Sequence, residues 1–501
     1  MLHLRGLLVT IGIPLLLNAC ITDHRDPALQ QENPATFREI ANVDLGGVAS
    51  AEIAAYDPIS KRVFVVNNES AAKVDVLDLT AYPAVTRLAP INVSALGGVA
   101  NSVAVSGGKL AIALEATNKQ ANGSVLVFNT STLALIQQVT VGALPDMVTF
   151  SPDGTYIMTA NEGEPNATYT TDPIGSVSII NTTDGYSVRT LSFESFTASL
   201  PQLAAGGFRV YGPNASLAQD IEPEYVTMSP DSKKAWVTLQ ENNGIAEVDL
   251  VAGVIVRIYP LGTKDYSLPQ HAIDPSDRDS KISLAPWPVK SFYLPDAIAH
   301  FTAAGGGYLI TANEGDAREY TAFDEQVRVG SLTLDPAKFP NAASLKQTAS
   351  LGRLRVTRTA GNTNGVYETL YGFGGRGFSI YSAATGERVY DSDKSLEERV
   401  IAANLYDDDR SDDKGVEAEG VTVGLINGKP IAFVGMERAD AVAVYDVSDP
   451  KSPRFLQLFK TGDAPEGVLF VSAQHSPNGR SLLIVSSEED GTVRMYQPDT
   501  L

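Results

Sequence analysis

Short apolar runs recur along almost the whole chain after residue 36. Each run is four to eight residues long and is bounded by Gly, Pro, Asn or Asp, whereas the spacing of an amphipathic helix is hard to find. Runs of this length between turn residues are typical of β-strands. The pattern therefore predicts an all-β protein.

The predicted strands follow a repeating order. Each unit opens with an acidic or amide residue, continues through two apolar runs joined by a turn, and closes the second run with Glu. The clearest copies are Leu144–Gly163, LPDMVTFSPDGTYIMTANEG, and Leu294–Gly315, LPDAIAHFTAAGGGYLITANEG. Five looser copies open at Glu52, Asn101, Glu224, Glu419 and Glu466. Internal repetition at this scale predicts a repeat architecture.

Most units add a third strand and several add a fourth, for example SVLVFN from Ser124 and LALIQQVTV from Leu133. Four short strands per unit are typical of a propeller blade, which usually takes roughly 40–50 residues. We therefore predict a seven-bladed β-propeller with four-stranded blades over residues 37–501. Two insertions, about 251–293 and 316–375, take up the remaining length.

The last unit is short of a strand. Its third strand ends at Tyr496, and the five residues that remain include Pro498, which is poor material for a strand. The first unit is preceded by a spare apolar stretch, Phe37–Leu45. We predict that this stretch supplies the outermost strand of the last blade, so that the two ends of the domain pair side by side.

The repeats carry acidic residues at two equivalent positions. The first position opens the inner strand: Glu52, Asp146, Glu224, Asp296, Glu419 and Glu466, with Asn101 in the second unit. The other position closes the second strand: Glu69, Glu115, Glu162, Glu241, Glu314, Glu437 and Glu488. A tight turn returns the second strand to the start of the first, so each blade brings two acidic positions to one mouth of the channel. Crowded carboxylates raise one another's pKa unless a cation intervenes.

Two interpretations of these acids stay open. They accept backbone N–H groups in repeated turns, or they bind a divalent cation or a substrate at the mouth. Two acidic loops are further candidates for metal ligation or are simply solvated: Asp274–Asp279, and the run Asp407–Gly415, which includes Asp412 and Asp413. Among basic residues, Arg318 and Arg376 either neutralise the acids or clamp an anion, and His300 is an isolated catalytic candidate.

The charge and the N-terminal sequence indicate which classes of binding partner and which location to expect. The formal net charge of −21 argues against nucleic acid, because binding phosphates needs a basic face. Residues 1–19 have the pattern of a signal peptide, and Leu17–Cys20 resembles a lipobox in which Cys20 is lipidated; an ordinary signal peptide cleaved nearby is the alternative. Residues 20–36 then form a tether. Cys20 is the only cysteine, so the mature domain has neither disulfides nor a thiol nucleophile.

Several motifs together resemble the choice-of-anchor I family. They are the PD…SPDG…TANEG units, ANEGDARE from Ala312, GGRGFSIY from Gly374, SDDKGVEAEG from Ser411 and DAPEGV from Asp463. The resemblance covers about residue 37 to the end and implies a secreted or surface-tethered propeller, similar in pattern to mesenchyme-specific cell-surface glycoproteins and to YVTN and lactonase-like propellers. Glu162, Glu314, Arg318, Arg376, Glu419 and Glu466 stand within the family motifs.

These observations predict a lipid-anchored propeller of a bacterial cell envelope, at the outer membrane, the cell surface or in the periplasm. We expect it to bind a small molecule or surface polymer, or a divalent cation such as Ca2+, at the acidic mouth. Some relatives are labelled alkaline phosphatases, which implies the alternative of a metal-dependent phosphoesterase; a lactonase-like hydrolase is a third interpretation. In the phosphoesterase, calcium held by the acids would polarise a phosphoryl oxygen and activate water, and Arg318 or Arg376 would stabilise charge.

Overall fold

A computed structural model describes residues 30–501, so Cys20 and the signal-peptide prediction lie outside the described residues. The described chain is all-β, as the apolar runs predict. It contains six four-stranded sheets and one five-stranded sheet, all antiparallel, which we number in chain order.

The strands of each sheet are given from the inner to the outer edge. Sheet 1 is Ala54–Asp57, Arg62–Asn67 and Lys73–Asp78, with Thr86–Arg87 and Ile91–Asn92 both on the outer edge; sheet 2 is Ala100–Ser106, Lys109–Leu114, Asn122–Asn129 and Leu135–Ala143. Sheet 3 is Pro145–Phe150, Tyr156–Asn161, Ser176–Asn181 and Ser187–Ser192; sheet 4 is Pro223–Met228, Lys234–Leu239, Gly244–Asp249 and Val254–Pro260. Sheet 5 is Ile298–Ala303, Gly306–Asn313, Gly377–Ser382 and Arg388–Asp391; sheet 6 is Ala418–Ile426, Lys429–Met436, Ala441–Asp446 and Arg454–Lys460; sheet 7 is Pro465–Val471, Leu482–Ser487, Thr492–Thr500 and Glu32–Asp44.

The second strand of each sheet is buried on both faces, which explains its continuous apolar sequence. In the strand Arg62–Asn67, Val63 and Val65 join the hydrophobic cluster shared with sheet 7, whereas Phe64 and Val66 join the cluster shared with sheet 2. Similar clusters lie between each of the other neighbouring sheets. Successive side chains of one strand therefore pack alternately against the two neighbouring sheets, as expected when sheets pack face to face.

The inner strands of successive sheets contact one another, and the inner strand of sheet 7 contacts that of sheet 1. All of these inner strands contribute residues to one central cavity of about 310 Å3. Radial sheets around a common axis are consistent with a β-propeller.

The N-terminal stretch is the outermost strand of sheet 7, paired antiparallel with Thr492–Thr500. This strand begins at Glu32, earlier than the predicted boundary at Phe37. Glu32 is buried and accepts a hydrogen bond from the Ser481 backbone N–H, so the ladder continues beyond the apolar stretch. The apolar pattern marks only the part of the strand that packs against a neighbour.

The two insertions form one accessory module, residues 261–293 and 316–375. Its hydrophobic core combines Tyr266, Ile273 and Val289 from the first segment with Val329 and Leu351 from the second. The first insertion begins later than predicted, because Val254–Pro260 is the fourth strand of sheet 4. The module's strands are Thr263–Asp265, Lys290–Phe292, Tyr371–Gly372, Glu319–Tyr320, Phe323–Asp324, Gln326–Arg328, Arg355–Thr357, Thr333–Leu334, Asn362–Thr363 and Val366–Tyr367.

Helices are short and lie in the connections. The α-helices are Leu200–Ala205, Leu217–Asp220, Ala342–Leu345 and Ser395–Ala402. The 3-10 helices are Glu194–Ser199, Pro269–His271, Val329–Ser331, Leu351–Arg353, Asp408–Arg410 and Glu437–Ala439. Among the described helices, none is long and apolar enough to cross a membrane.

Candidate functional site

Backbone geometry brings the two acids of a blade together. In four sheets the residue two positions before the opening acid has a left-handed backbone: Leu144, Leu294, Glu417 and Ala464. In sheet 3 the Leu144 carbonyl accepts a 2.9 Å hydrogen bond from the N–H of Glu162. The start of the first strand is thereby tied to the end of the second, which places Asp146 beside Glu162. A left-handed backbone costs energy in a residue other than glycine, and such strain gathers at functional sites.

A β-bulge then turns the opening acid away from the regular ladder. In sheet 3 the register shifts between Pro145 and Val148, so Asp146 and Met147 have no direct partner on the next strand. Equivalent shifts occur at the start of sheets 2, 4, 6 and 7. Bulges commonly re-aim a side chain next to a site, and here they direct the acids towards the axis.

The mouth cavity, which has a volume of about 350 Å3, is lined mainly by these carboxylates. Seven of the predicted acids line it: Asp146, Glu224, Asp296, Glu314, Glu419, Glu437 and Glu466. Asn101 and Asp316 join them, and the basic residues in the lining are Lys414 and Arg438. The structure therefore gathers acids from sheets far apart in sequence around one cavity.

Asp146, Glu162 and Glu224 form a group that we call the open cluster. One carboxylate oxygen from each lies within 4.8 Å of the others. Within residues 30–501, no ion pair involves any of these three carboxylates, and no backbone N–H donates to them; the nearby Lys119 pairs with Glu164 instead. Three half-buried acids therefore share a small volume with no cation in contact.

The protonation of the open cluster reflects this crowding. Burial raises the pKa of Asp146 to about 6. Burial, followed by the charge of neighbouring carboxylates, raises the pKa of Glu162 and of Glu224 well above the usual range. Two or more of these groups cannot ionise together without a large electrostatic cost unless a cation is bound.

A second cluster, Glu314, Glu417 and Glu437, also brings ligand atoms within 4.8 Å of one another, but basic side chains contact its carboxylates. The Lys414 ammonium lies 2.6 Å from Glu314 Oε1 and 3.3 Å from Glu417 Oε2, and Arg438 lies 2.8 Å from Glu437. Burial acts to raise the pKa of Glu314, but Lys414, Gln240 and Arg438 together outweigh it, so the pKa is lowered. An internal ammonium therefore lies between Glu314 and Glu417 and offsets their charge.

A third cluster lies away from the mouth and also contains a lysine. His271, Asp391 and Asp393 bring ligand atoms within 4.8 Å of one another. Asp391 accepts a 2.9 Å contact from the buried Lys264 ammonium, and His271 Nε2 lies 3.1 Å from Asp393. Its acids are thus already paired with cationic or polar groups.

The predicted basic and catalytic candidates do not line the mouth cavity. Arg318 is buried and is paired with Asp220 at 2.7 Å and Glu222 at 3.2 Å. Arg376 is also buried and donates to three backbone carbonyls and to Glu397. His300 stacks on the Trp236 indole, with ring centroids 5.2 Å apart.

The two acidic loops also have internal partners. Asp412 pairs with Arg328 and, at 2.9 Å, with Arg353, while Asp413 lies 3.1 Å from Arg410. In the other loop, Asp277 pairs with Arg353 at 2.8 Å. Arg328 and Arg353 come from the accessory module, so their pairs with Asp412 fasten the module to the connection before sheet 6. The pair of Arg353 with Asp277 instead joins the two segments of the module to each other.

Sequence reasoning missed the cations of the mouth. Lys414 lies in the same SDDKG motif as Asp412 and Asp413, and Arg438 directly follows Glu437. A basic residue next to a repeated acid was the available signal. The pairing of Lys414 with Glu314, a hundred positions earlier in the chain, depends on ring geometry that spacing does not reveal.

The raised pKa values lead to a pH prediction. Burial raises the pKa of Glu52 and of Glu437 to about 7 and that of Asp146 to about 6, so these groups bind protons more tightly in the folded state. Their stabilising contribution is complete below the unfolded pKa and is lost as pH rises through the folded pKa. In metal-free buffer the melting temperature should therefore fall between about pH 5 and pH 7.5.

Thermal denaturation across this range, followed by circular dichroism with a chelator present, measures the effect. Groups with lowered pKa, such as Glu314, act in the opposite sense but only below about pH 4.5, where unfolded Glu binds protons. A melting temperature that is flat or rising between pH 5 and 7.5 would contradict the prediction.

The fold and the mouth define an all-β, propeller-like protein with a carboxylate-lined axial cavity. The chain belongs to the choice-of-anchor I family: the sequence model of the choice-of-anchor I domain matches residues 52–450. The resemblance seen in the sequence motifs is thereby confirmed.

Individual relatives are more distant. The chain is 30% identical over 188 residues to Gigasin-3a of Magallana gigas, covering 30% of this chain and 66% of that protein. It is 26% identical over 335 residues to the mesenchyme-specific cell surface glycoprotein of Strongylocentrotus purpuratus, covering 57% of this chain and 41% of that protein. The chain thus spans two thirds or less of these relatives.

Among solved structures, a chain of Kuenenia stuttgartiensis hydrazine synthase is similar, with a TM-score of 0.50 and 14% identity over 91% of this chain and 97% of that chain. At this level of identity the likeness concerns the fold alone.

Proposed function

We propose that this protein is a surface-attached, seven-bladed propeller that binds Ca2+ at the open cluster of its mouth. The blade count is supported by the seven sheets of four or more strands and by the contacts between successive inner strands. The surface location is supported by the family and by the cell-surface relative.

The contrast between the three clusters carries the cation proposal. Lys414 occupies the second cluster and Lys264 the third, whereas the open cluster contacts no lysine or arginine among the described residues. Where this fold gathers acids without needing an external ion, it supplies an ammonium of its own. The open cluster lacks one, so an external cation completes it.

Glu241 strengthens the proposal. It closes the second strand of sheet 4 and is only 7% exposed, and its buried Oε2 atom has no hydrogen-bond partner among residues 30–501. Its charge contributes to the raised pKa of both Glu162 and Glu224, so it lies close to the open cluster. Leaving a buried carboxylate oxygen unpaired is costly, and the charge of a cation bound at the neighbouring open cluster would offset part of that cost.

The donor set favours calcium. Carboxylate oxygens are hard ligands, and Ca2+ accepts six to eight of them in flexible geometry, whereas Mg2+ demands a near-ideal octahedron. The open cluster includes neither histidine nor cysteine, the ligands expected for zinc.

Attachment through Cys20 is a further part of the proposal. The lipobox-like residues Leu17–Cys20 support it, and fatty-acid labelling that persists in Cys20→Ala would refute it. The hydrolase alternatives remain predictions without a supporting observation at the mouth, because Arg318, Arg376 and His300 lie elsewhere and the cations there, Lys414 and Arg438, are in ion pairs.

Calcium should raise the melting temperature of the purified protein relative to chelator at pH 7.5. A ligand that binds only the native state stabilises it by about 2.7 kcal/mol when present at 100 times its Kd. The double variant Glu162→Gln/Glu224→Gln should lose this response, as measured by differential scanning fluorimetry and by equilibrium dialysis with 45Ca2+.

Two comparisons decide between ligation and turn-capping. Glu437→Gln, in the lysine-filled cluster, should keep the calcium response. Without metal, the double variant should melt no lower than the parent chain, because its loss of repulsion offsets any loss of hydrogen bonds. Identical melting curves with and without calcium in the parent chain would refute the cation site.

A further inference from the structure

A second cavity, of about 540 Å3, lies where the accessory module meets the sheets. Its walls come from the segment Leu200–Tyr211, from Gly262 and Thr263, and from Phe292, Thr359–Gly361 and Tyr371 of the module. Ligand pockets typically measure roughly 300–1,000 Å3 and favour junctions between structural units. We call this cavity the junction cleft.

The junction cleft is uncharged, unlike the rest of this acidic protein. Within the described part of the chain, no Asp or Glu lines it, and Arg209 is the one charged side chain in its lining. The Arg209 guanidinium is paired with Glu325, and the two side chains are only 5% and 0% exposed. The charge is therefore cancelled beneath the surface of the cleft. A charged ligand finds no counter-ion there, and an anionic one is also repelled by the net charge of −21.

Aromatic rings form part of the lining, among them Tyr211, Phe292 and Tyr371. The Tyr371 ring is half-buried and stacks on Phe292, with centroids 5.0 Å apart and planes 21° apart. Tyr211 lies under the Arg209 guanidinium, 4.0 Å from its ring centroid, and donates a 2.7 Å hydrogen bond to Glu325. The rings are thus held in fixed orientations by packing and by a buried polar network, which is the preorganisation that binding sites need.

Glycine backbone supplies the remaining surface. Gly207 has φ +96°, and a Cβ there would lie 2.9 Å from the Cα of Gly262, so the two segments cross with no room for side chains. Peptide groups and Thr263 therefore lie next to the aromatic rings. The Thr359 hydroxyl also lines the cleft but already contacts Arg209 at 3.3 Å and Thr357 at 2.8 Å. A ligand that matches this surface has a flat apolar face and several neutral hydrogen-bonding groups.

We propose that the junction cleft binds an uncharged saccharide. The C–H face of a pyranose ring packs on the Tyr371 ring, and its hydroxyls exchange hydrogen bonds with peptide groups and with Thr263. This site is separate from the open cluster and does not depend on a cation there. In this proposal, the accessory module takes part in recognising a neutral glycan.

An array of neutral oligosaccharides, printed beside sialylated, sulfated and uronic-acid glycans, identifies the ligand class with the full mature protein as probe. We expect binding to neutral members. Isothermal titration with the best neutral oligosaccharide should then show about a tenfold loss of affinity in Tyr371→Ala. Tyr308 is the matched control, because it is also half-buried and stacks on a phenylalanine, Phe301, but lies outside the cleft. Tyr308→Ala should bind normally.

A blocking variant covers the case in which Tyr371→Ala does not fold. Ala205 is exposed at the end of a short helix and lines the cleft, so Ala205→Trp should fill the cavity and abolish binding without disturbing the core. Binding should persist with chelator and in Glu162→Gln/Glu224→Gln. Failure to bind neutral glycans, selection of acidic ones, unchanged binding in Ala205→Trp, or loss of binding with chelator would each overturn the assignment.

Discussion

Replacing Phe37 with alanine should lower the free energy of unfolding by about 3–5 kcal/mol, the usual cost of truncating a buried phenylalanine. Phe37 is 2% exposed and lies on the closing strand Glu32–Asp44. Its ring packs edge-on against Phe433 at 5.1 Å and stacks on Phe459 at 6.3 Å. The side chain therefore joins the N-terminal strand to sheet 6 as well as to sheet 7.

The cavity left by Phe37→Ala should not collapse easily. The backbone around it is held in place, because Phe37 N–H donates to Gln457 Oε1 at 2.7 Å and Gln457 Nε2 donates to the Phe37 carbonyl at 2.8 Å. Residual cavities account for much of the cost of such substitutions. Urea unfolding followed by circular dichroism measures the change.

Arg38→Ala is the control for the closing strand. Its guanidinium pairs with Asp499 at 2.9 Å, but the two side chains are 61% and 51% exposed, so the loss should stay below about 1 kcal/mol. A loss below about 1 kcal/mol in Phe37→Ala would show that the strand does not hold the ring closed.

Arg376→Met should cost a comparable amount, about 3–5 kcal/mol, because it removes one partner of a buried ion pair. The Arg376 guanidinium donates to the carbonyls of Asp274 at 3.0 Å, Ser411 at 2.7 Å and Asp413 at 2.9 Å, and to Glu397 Oε1 at 3.3 Å. Methionine restores the volume but none of these donors. Glu397 is fully buried, so its charge would be left unpaired.

A second substitution separates the buried charge from the lost hydrogen bonds. Arg376→Met/Glu397→Gln should recover a large part of the stability, because no unpaired charge remains in the interior. Arg399→Met, on the same helix as Glu397 but exposed, should cost below about 1 kcal/mol, the range of its cation–π contact with Phe455. Urea unfolding of all three variants provides the comparison. A double variant no more stable than Arg376→Met would contradict the explanation.

Much of the architecture follows from local sequence. The repeated Thr-Ala-Asn before Glu is one example: Thr159 donates to Asn161 and Thr311 to Asn313, and both asparagines donate to serines on the third strand. Because the same local hydrogen bonds are made by the same residue types, the units can be aligned from the sequence alone. The closing strand was also predictable, because the last unit lacked a fourth strand and an apolar stretch before the first unit had no other assigned place.

The segment between sheets 3 and 4 was not predictable in this way. Its helices Leu200–Ala205 and Leu217–Asp220 have only six and four residues, which is too short for a periodic signal. Their position depends on long-range contacts instead. Arg318, nearly a hundred residues later, binds Asp220 and its neighbour Glu222, and the junction cleft forms beside them.

The candidate site was predictable only in its acids. The repeats predict which carboxylates lie at the same end of the sheets. They do not predict which of these carboxylates form ion pairs with lysine or arginine. Arg328 and Arg353 reach Asp412 from the accessory module, and Lys414 reaches Glu314 from the connection between sheets 5 and 6. These arginines and this lysine lie in insertions and connections, outside the repeated units, so alignment of the units does not reveal them.

The position of the closing strand also has a mechanical consequence. Leu501 N–H donates to the Gln31 carbonyl at 2.9 Å, so the described chain enters and leaves the fold at one point on the rim of sheet 7. Tension transmitted through the residues that precede Gln30 would act on the ladder between Glu32–Asp44 and Thr492–Thr500 before any other. The element that closes the ring would then also be the first to resist a pull, and the tension needed to peel it away would set the force that the whole ring withstands.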